Sequence, residues 1–370
     1  MTARGYRAII RLCVLGGLTL LGVGVVGPAP VMAQSSAVNS ARALVRTLML
    51  RERIPGLGVA VAVDHRVVWS EAFGYADLED SIPATEQTMF RIGSVSMPLT
   101  SIAVGLSVQR GRLNLAVDVR SYVPSFPQKR YPFTVEQLAG HLAGIRHYRG
   151  DEFRSATRYQ TVQDGLVIFA RDTLLFEPGT RYAFSTYGWT LLSAVLESVT
   201  GMGFLDLMHR EVFEPLGLRQ TGPDWPDTVM PHRAQFYERA DDGSIQVAPR
   251  VDNSYKWAGG GFVASPEDLA RFGLALLSPG VLDSTITNRL WTSLRTQDGV
   301  ETGYGIGWAV GRDADERRVV SHTGSSVGGR AILLIYPDER VVVAIATNLG
   351  GVRFGDLPGN IAALFMAERK

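Results

Sequence analysis

The residue most suggestive of chemistry is a serine at the start of a predicted helix. The spacing of apolar residues predicts a helix over 94–109, with Gly111 just beyond its end. Ser94 lies in the first turn, where backbone N–H groups are unpaired and the helix dipole stabilises negative charge. Met97 comes three residues later and therefore shares a helix face with Ser94. A serine in this place commonly serves only as an N-cap, so a nucleophilic role needs further signals.

Three further stretches supply such signals. Residues 172–188 end in Arg-Tyr-Ala-Phe-Ser-Thr-Tyr-Gly, residues 258–269 begin Ala-Gly-Gly-Gly before a predicted helix, and residues 322–324 are His-Thr-Gly. Together with Ser-Val-Ser-Met at 94–97, and in this order, they resemble the motifs of the penicillin-binding protein and serine β-lactamase family. The resemblance covers most of residues 40–365. Within the family, the chain looks most like the branch with the mitochondrial serine β-lactamase-like, peptidase-like protein.

The resemblance implies a role for each matching residue. Ser94 stands in the place of the nucleophile, Met97 in that of the family's Lys, and Phe184 in that of its Tyr. The backbone N–H groups of Ser94 and Ser325 would form the oxyanion hole. The residues implied in substrate binding are Thr186, His322, Thr323, Gly324 and Ser325.

Two of these positions lack the groups that would activate the serine. A Ser hydroxyl is a weak nucleophile unless a neighbour takes its proton, and neither Met97 nor Phe184 can do so. Losing a general base lowers a rate by about 10² to 10⁴-fold. The family's His-Thr-Ser-Gly is also altered, because Leu142 and Ala143 replace both hydroxyl residues. The sequence therefore predicts an impaired hydrolase.

Two other side chains are candidates for the missing base. His322 is either a substitute base or a residue that positions a substrate carboxylate or the strand. Lys256 lies between Tyr255 and Trp257 and is interpreted as a residue at the edge of the site or the core. Lysine commonly lays its stem on such apolar neighbours.

Competing motifs are weaker. Gly324-Ser325-Ser326-Val327-Gly328 matches the Gly-x-Ser-x-Gly nucleophile elbow, but the sequence after it predicts a strand where an elbow needs a helix. The six His residues lack metal-ligand spacing, and no glycine-rich stretch has the context of a phosphate-binding loop. We therefore expect no metal and no cofactor.

The segments that must position these residues change in type along the chain. Helices are predicted over 38–53, 94–109, 186–199, 204–213, 266–277 and 357–368. Strands are predicted in a hairpin over 58–69 and over 306–310, 318–321, 331–336 and 341–347. This order predicts an α/β (α+β) fold of the β-lactamase/transpeptidase-like type. We expect a single domain over 34–370, with an antiparallel sheet from both chain ends (about 34–93 and 256–370) and a helical part inserted over about 94–255.

The first 33 residues are interpreted as a cleaved signal peptide. Arg4, Arg7 and Arg11 precede an apolar run over 12–26, and Val31-Met32-Ala33 has the small-residue pattern of a cleavage site. The run is shorter than the roughly 18 to 20 residues that span a bilayer. An uncleaved anchor is the alternative interpretation. We expect an exported protein, periplasmic or extracellular, with no membrane span after cleavage.

Composition and motifs together leave three hypotheses for function. The net charge is +1 and the bases are interspersed with acids, which gives no indication of nucleic acid binding. The first hypothesis is a serine hydrolase that attacks amide or ester bonds of peptide-like substrates through a Ser94 acyl-enzyme. The second is a weak or inactive pseudoenzyme that binds peptide or cell-wall-derived ligands. The third is a scaffold protein that uses only the fold.

Overall fold

The computed structural model describes residues 36–368, and the predicted signal peptide with its cleavage site lies outside the described residues. The described part of the chain packs as one unit. Within it, no single helix is long and apolar enough to cross a membrane, although the bent pair Thr186–Thr200 and Phe204–Phe213 passes on length and composition alone.

The strands form one large sheet and two small ones. In chain order they are β1 (Gly56–Val63), β2 (Arg66–Asp77), β3 (Ile82–Pro83), β4 (Phe90–Arg91), β5 (Thr221–Pro223), β6 (Tyr237–Arg239), β7 (Ile245–Val247), β8 (Phe262–Ala264), β9 (Ala309–Arg312), β10 (Arg318–Ser326), β11 (Gly329–Tyr336) and β12 (Val341–Thr347). The large sheet has the order β3-β2-β1-β12-β11-β10-β9, and the small sheets are β4-β8-β5 and β6-β7.

Most of the helices lie between the two sets of strands in sequence. They are α1 (Ser36–Glu52), α2 (Ser96–Gln109), α3 (Val135–Ala139), α4 (Val162–Leu166), α5 (Thr186–Thr200), α6 (Phe204–Met208), α7 (Trp257–Gly260), α8 (Pro266–Leu276), α9 (Ser284–Leu290) and α10 (Leu357–Ala367). Short 3₁₀ turns precede two of them, Gly93–Val95 before α2 and Ser254–Lys256 before α7.

The large sheet joins the two chain ends at its centre. β1 pairs antiparallel with β12, with Val59 opposite Ile345. Successive side chains along a strand point to opposite faces of the sheet, so each strand contributes residues to two hydrophobic cores. Ala60 faces the core that includes α2 and α5, whereas Val59 faces the one that includes α1 and α10. The prediction of an antiparallel sheet built from both ends is confirmed, and with it the fold class.

Two buried helices of the insertion carry candidate site residues. In α2 and in the first three turns of α5 nearly every residue is buried, which explains why neither shows a polar stripe. The 3₁₀ turn before α2 holds Ser94, and Phe184 directly precedes Ser185, the N-cap of α5. Packing of these helices against the sheet therefore fixes both residues.

Local backbone geometry corrects three predicted boundaries. The strand predicted over 306–310 is Ala309–Arg312, because Gly307 has a φ of +82° and turns the chain. The helix predicted over 94–109 becomes α-helical only at Ser96, after a 3₁₀ turn. The helix predicted over 204–213 ends as a π-helical turn, His209–Phe213.

Candidate active site

The hydroxyl of Ser94 has no structural task in the described part of the chain. No side-chain hydrogen bond caps the turn Gly93–Val95 or the start of α2. The hydroxyl of Ser96 instead donates to Gly93 O at 2.8 Å. Ser94 is half-buried and lines a pocket. The interpretation of Ser94 as an N-cap is therefore wrong, and its Oγ is free to react.

The backbone before Ser94 lies directly against strand β10. A Cβ atom on Gly93, whose φ is +50°, would lie 2.7 Å from the backbone N of Ser325. A Cβ on Gly324 would lie 1.8 Å from Ile92 O and 3.0 Å from the backbone N of Ser94. Only glycine fits at these two positions. Their contact brings the backbone of Ser94 close to that of Ser325, and both residues line the same pocket.

The pocket at Ser94 has a volume of about 480 Å³ and basic but no acidic residues in its lining. Lys256 and Arg330 are its charged residues, and no carboxylate lines it. Its lining residues are Ser94, His147, Tyr148, Phe153, Phe184, Thr186, Lys256, Gly260, His322, Thr323, Ser325 and Arg330. Of the predicted site residues, the structure thus brings Ser94, Phe184, Thr186, His322, Thr323 and Ser325 together.

Met97 is fully buried behind the pocket. It contacts Tyr304, a residue that the sequence analysis did not single out. The Tyr304 hydroxyl lies 3.6 Å from Met97 Sδ and 2.9 Å from His322 Nε2. Where the family would have a lysine amine, this chain has a thioether beside a phenol. Burial raises the pKa of the Tyr304 phenol, so that it stays protonated at neutral pH.

Hydrogen bonding occupies both ring nitrogens of His322. Its Nδ1 lies 2.7 Å from the carbonyl oxygen of Thr323, so this nitrogen donates. Nε2 must then accept from the Tyr304 hydroxyl, because a neutral imidazole has one donor and one acceptor. Burial lowers the pKa of His322 to about 4. With its lone pair in use, His322 cannot take the Ser94 proton, and the positioning role is the one that fits.

The side of the pocket near Phe184 is aromatic. Phe184 lies 4.5 Å from His141 and 6.2 Å from His322 between ring centroids. His141 Nδ1 accepts from the backbone N–H of Ser185 at 3.2 Å, and burial lowers the pKa of His141. Its Nε2 therefore carries the proton and has no partner in the described residues. No group here can act as a base toward Ser94.

The first turn of α5 holds Thr186 at the pocket wall. Ser185 Oγ accepts from Gly188 N at 3.0 Å and donates to Arg146 O at 2.7 Å, which fixes the N-terminus of the helix. The backbone N–H of Thr186 donates to His147 Nδ1 at 3.2 Å. Burial is the main cause that lowers the pKa of His147 to about 4. His147 is thus neutral and already an acceptor.

Strand β10 presents a free edge and an arginine beside Ser94. β9 pairs with β10 only over Arg318–Ser321, so in the described structure residues 322–326 have no strand on that side. Arg330 Nη1 donates to Ser325 Oγ, while Arg330 Nε is buried and unpartnered among the described residues. The Gly-x-Ser-x-Gly elbow is excluded, because its central serine, Ser326, ends β10 and is followed by a turn and strand β11, where an elbow needs a helix.

Lys256 is the other basic residue of the pocket. It is only 2% exposed, where the sequence indicated an edge residue. Its Nζ lies over the rings of Phe153, Tyr255 and Tyr148, at 4.7, 5.0 and 5.3 Å from their centroids. Burial lowers its pKa to about 7. One signal was available in the sequence: Lys256 is one of only three lysines in an arginine-rich chain.

The described residues contain no group of His, Cys, Asp or Glu side chains that could hold a metal ion.

Comparisons with known proteins agree on one family. A protein-family profile described as Beta-lactamase matches residues 41–364. The mitochondrial serine beta-lactamase-like protein LACTB of Homo sapiens is 29% identical over 92% of this chain and 82% of its own length. Penicillin-binding protein 4* of Bacillus subtilis is 25% identical over 76% of this chain and 65% of its own. The octameric penicillin-binding protein homologue from Pyrococcus abyssi superposes with a TM-score of 0.77 at 23% identity, over 90% of this chain and 77% of its own.

Proposed function

Because the chain belongs to the beta-lactamase family of serine β-lactamase and penicillin-binding-protein-like hydrolases, as its four motifs predicted, we propose that Ser94 is a nucleophile. It attacks the carbonyl carbon of an amide or ester in a peptide-like substrate, and water releases the acyl group. The observation that carries the proposal is an unbonded Ser94 hydroxyl in a pocket whose wall is the close contact of Gly93 with Ser325.

Two backbone donors support the chemistry. By the family resemblance, the N–H groups of Ser94 and Ser325 would bind the carbonyl oxygen as it gains charge during attack. Donors fixed in this way are already oriented when the charge develops, and removing one from a serine hydrolase lowers the rate by roughly 10² to 10³-fold. The rigid contact between the two glycines thus has a catalytic purpose in addition to its packing role.

The lining of the pocket supports a peptide-like substrate that bears an anionic group. Arg330 supplies positive charge, and the lining has no carboxylate to neutralise it. The free edge of β10 over residues 322–326 offers backbone groups to an extended ligand, which would add to the sheet as another strand. A peptide with a free C-terminal carboxylate satisfies both features.

Turnover is proposed to be slow relative to relatives that retain the lysine and the tyrosine. Met97 and Phe184 have no titratable group, and His322 has its lone pair in use. The oxyanion hole and substrate binding remain, and in a serine-protease template these alone retain about 10³ to 10⁴-fold catalysis over water.

A pseudoenzyme that binds peptide or cell-wall-derived ligands is the second candidate. The observation that favours it is the replacement of the proton-transfer groups by Met97 and Phe184, with a neutral His141 packed against Phe184. Such a protein would keep the pocket and the β10 edge but accumulate no acyl-enzyme.

Turnover of a chromogenic ester separates the two candidates. The hydrolase predicts a rate that Ser94→Ala abolishes, whereas Ser284→Ala, at an exposed serine at the start of α9 outside the pocket lining, leaves it unchanged. Equal rates for wild type and Ser94→Ala would refute the hydrolase. Ligand binding with no Ser94-dependent rate would favour the pseudoenzyme.

Export is part of the proposal. It rests on the arginine-rich start, the short apolar run and the Val31-Met32-Ala33 site.

A further inference from the structure

Lys256 and Ser94 border the same small space. Lys256 ends the 3₁₀ turn Ser254–Lys256, and α7 carries the chain from there to Gly260. A Cβ atom on Gly260 would lie 3.7 Å from the carbonyl carbon of Gly93 and 3.9 Å from Lys256 Cδ. The lysine stem and the backbone that immediately precedes Ser94 thus both lie within 4 Å of the space that a side chain at residue 260 would fill, and glycine leaves that space open.

The amine of Lys256 has no partner that would hold it as an ammonium ion. Among the described residues its Nζ makes no hydrogen bond or ion pair, and its neighbours are the rings of Tyr148, Phe153 and Tyr255. Asp224 is the carboxylate that acts on it, but Arg91 Nε donates to this group at 2.6 Å. A buried lysine without a dedicated counter-ion readily gives up its proton.

Charged and titratable groups approach Lys256 from several elements, and those that lower its pKa outweigh the one that raises it. Burial lowers the pKa of Lys256 most, the Arg91 guanidinium lowers it further, and Asp224 opposes both. The resulting pKa of about 7 makes the neutral amine abundant at physiological pH. The surrounding groups are Arg91, His147, Tyr148, Asp224, Tyr255, His322 and Arg330.

We infer that Lys256 accepts the proton of Ser94 Oγ, directly or through one water molecule, and so replaces the base missing at residues 97 and 184. This inference rests on the proposed function, since it names the base for the nucleophile proposed there. Ser94 and Lys256 line one pocket, and neither side chain makes a competing hydrogen bond in the described structure. The base has moved from the helix of the serine to the turn before α7.

Lys256 alone can accept and return each proton that is transferred in the reaction. When Ser94 Oγ bonds to the carbonyl carbon, its proton passes to Lys256 Nζ and the carbonyl electron pair moves onto oxygen. When the intermediate collapses, the bond from carbon to the leaving group breaks, and the Lys256 ammonium returns the proton to that group. Water then attacks the acyl-enzyme, gives its proton to Lys256, and Ser94 recovers a proton as the acyl bond breaks.

The pH profile of kcat/KM for a chromogenic ester tests the inference. Because the neutral amine is the active form, the wild-type rate rises with pH through about 7 and then levels off. His147 and His322, whose pKa values are about 4, do not account for an inflection there. Lys256→Met should lower the plateau by about 10² to 10³-fold and abolish the inflection. The matched control is Lys129→Met, a lysine that binds Ala170 O and Asp172 O away from the pocket and should change neither.

Amine rescue distinguishes a base from a structural lysine. Lys256→Ala opens a space in the pocket wall, and added propylamine should restore part of the rate. The restored rate should increase with pH, because a larger fraction of the propylamine is then neutral. Met97→Lys in the Lys256→Met background should also regain activity. Ser94→Ala should remain inactive in every case.

Three outcomes would overturn the inference. If Lys256→Met keeps both the rate and the inflection, the base lies elsewhere. In that case a loss of activity in Ser94→Ala would still support the proposed function. Folded Lys256→Ala that is slow and not rescued by amine would assign Lys256 a structural role. Equal rates for wild type and Ser94→Ala would refute the proposed function itself.

Discussion

Gly324→Ala offers a test of how the β10 strand serves Ser94. The added Cβ would lie 1.8 Å from Ile92 O, so the strand and the turn before Ser94 must separate by more than about 1 Å. Misplacing catalytic groups by this distance lowers a rate by about 10²-fold, and losing an oxyanion donor lowers it by about 10² to 10³-fold. We expect ester hydrolysis to fall in this range, with a loss of stability of about 1 to 3 kcal/mol from overpacking.

The matched control is a glycine on the neighbouring strand. Gly311 lies in β9, has an ordinary φ, and a Cβ there would meet no atom within 4 Å. Gly311→Ala should therefore keep the wild-type rate and melting temperature. The assay is steady-state hydrolysis of a chromogenic ester, with thermal unfolding to show that each variant is folded. A folded Gly324→Ala protein with the wild-type rate would refute the assignment of Ser325 N–H to the oxyanion hole.

Two further predictions concern the lost activating groups and the N-terminus. The double variant Met97→Lys with Phe184→Tyr should raise the rate of ester hydrolysis strongly, and by more than either single change. The reason is that the effects of residues that act as a unit are not additive. Met97 Sδ lies 3.6 Å from the Tyr304 hydroxyl, so the new amine would have a polar neighbour. A folded double variant no faster than wild type would show that these two residues do not limit the site. N-terminal sequencing of the secreted protein should begin at Gln34, and retention in the cytoplasm with Met1 intact would contradict export.

Periodicity predicted most of the elements that carry the site. The run 341–347 was predicted as a strand and is β12, because a β-branched apolar run buried on both faces has no competing helical pattern. The strand predicted over 318–321 is five residues shorter than the observed β10, because residues 322–326, His-Thr-Gly-Ser-Ser, show no alternation of apolar side chains. Its extended form comes from pairing with β11.

The residues that sequence reasoning missed act through long-range contacts. Tyr304 meets Met97 across 207 positions of sequence, and nothing local to Tyr304 indicates that pairing. Lys256 was interpreted as an edge residue because its apolar neighbours suggested only a covered stem. The loop that carries Tyr148 and Phe153 covers the Lys256 amine and buries it. This contact forms only in the fold, so the sequence around Lys256 does not indicate that the amine is buried.

Intact-mass analysis of residues 34–370 after exposure to a fluorophosphonate, an activated ester or penicillin tests the central claim most directly. The account predicts that the fluorophosphonate adds one covalent group, that the modified peptide contains Ser94, and that Ser94→Ala prevents the addition. Acyl adducts of the ester or penicillin on the same residue would further identify the acceptor class. Ser325→Ala should still be labelled, because Ser325 serves through its backbone N–H. A label on Ser325, a label that persists in Ser94→Ala, or no label on the folded wild-type protein would contradict the account.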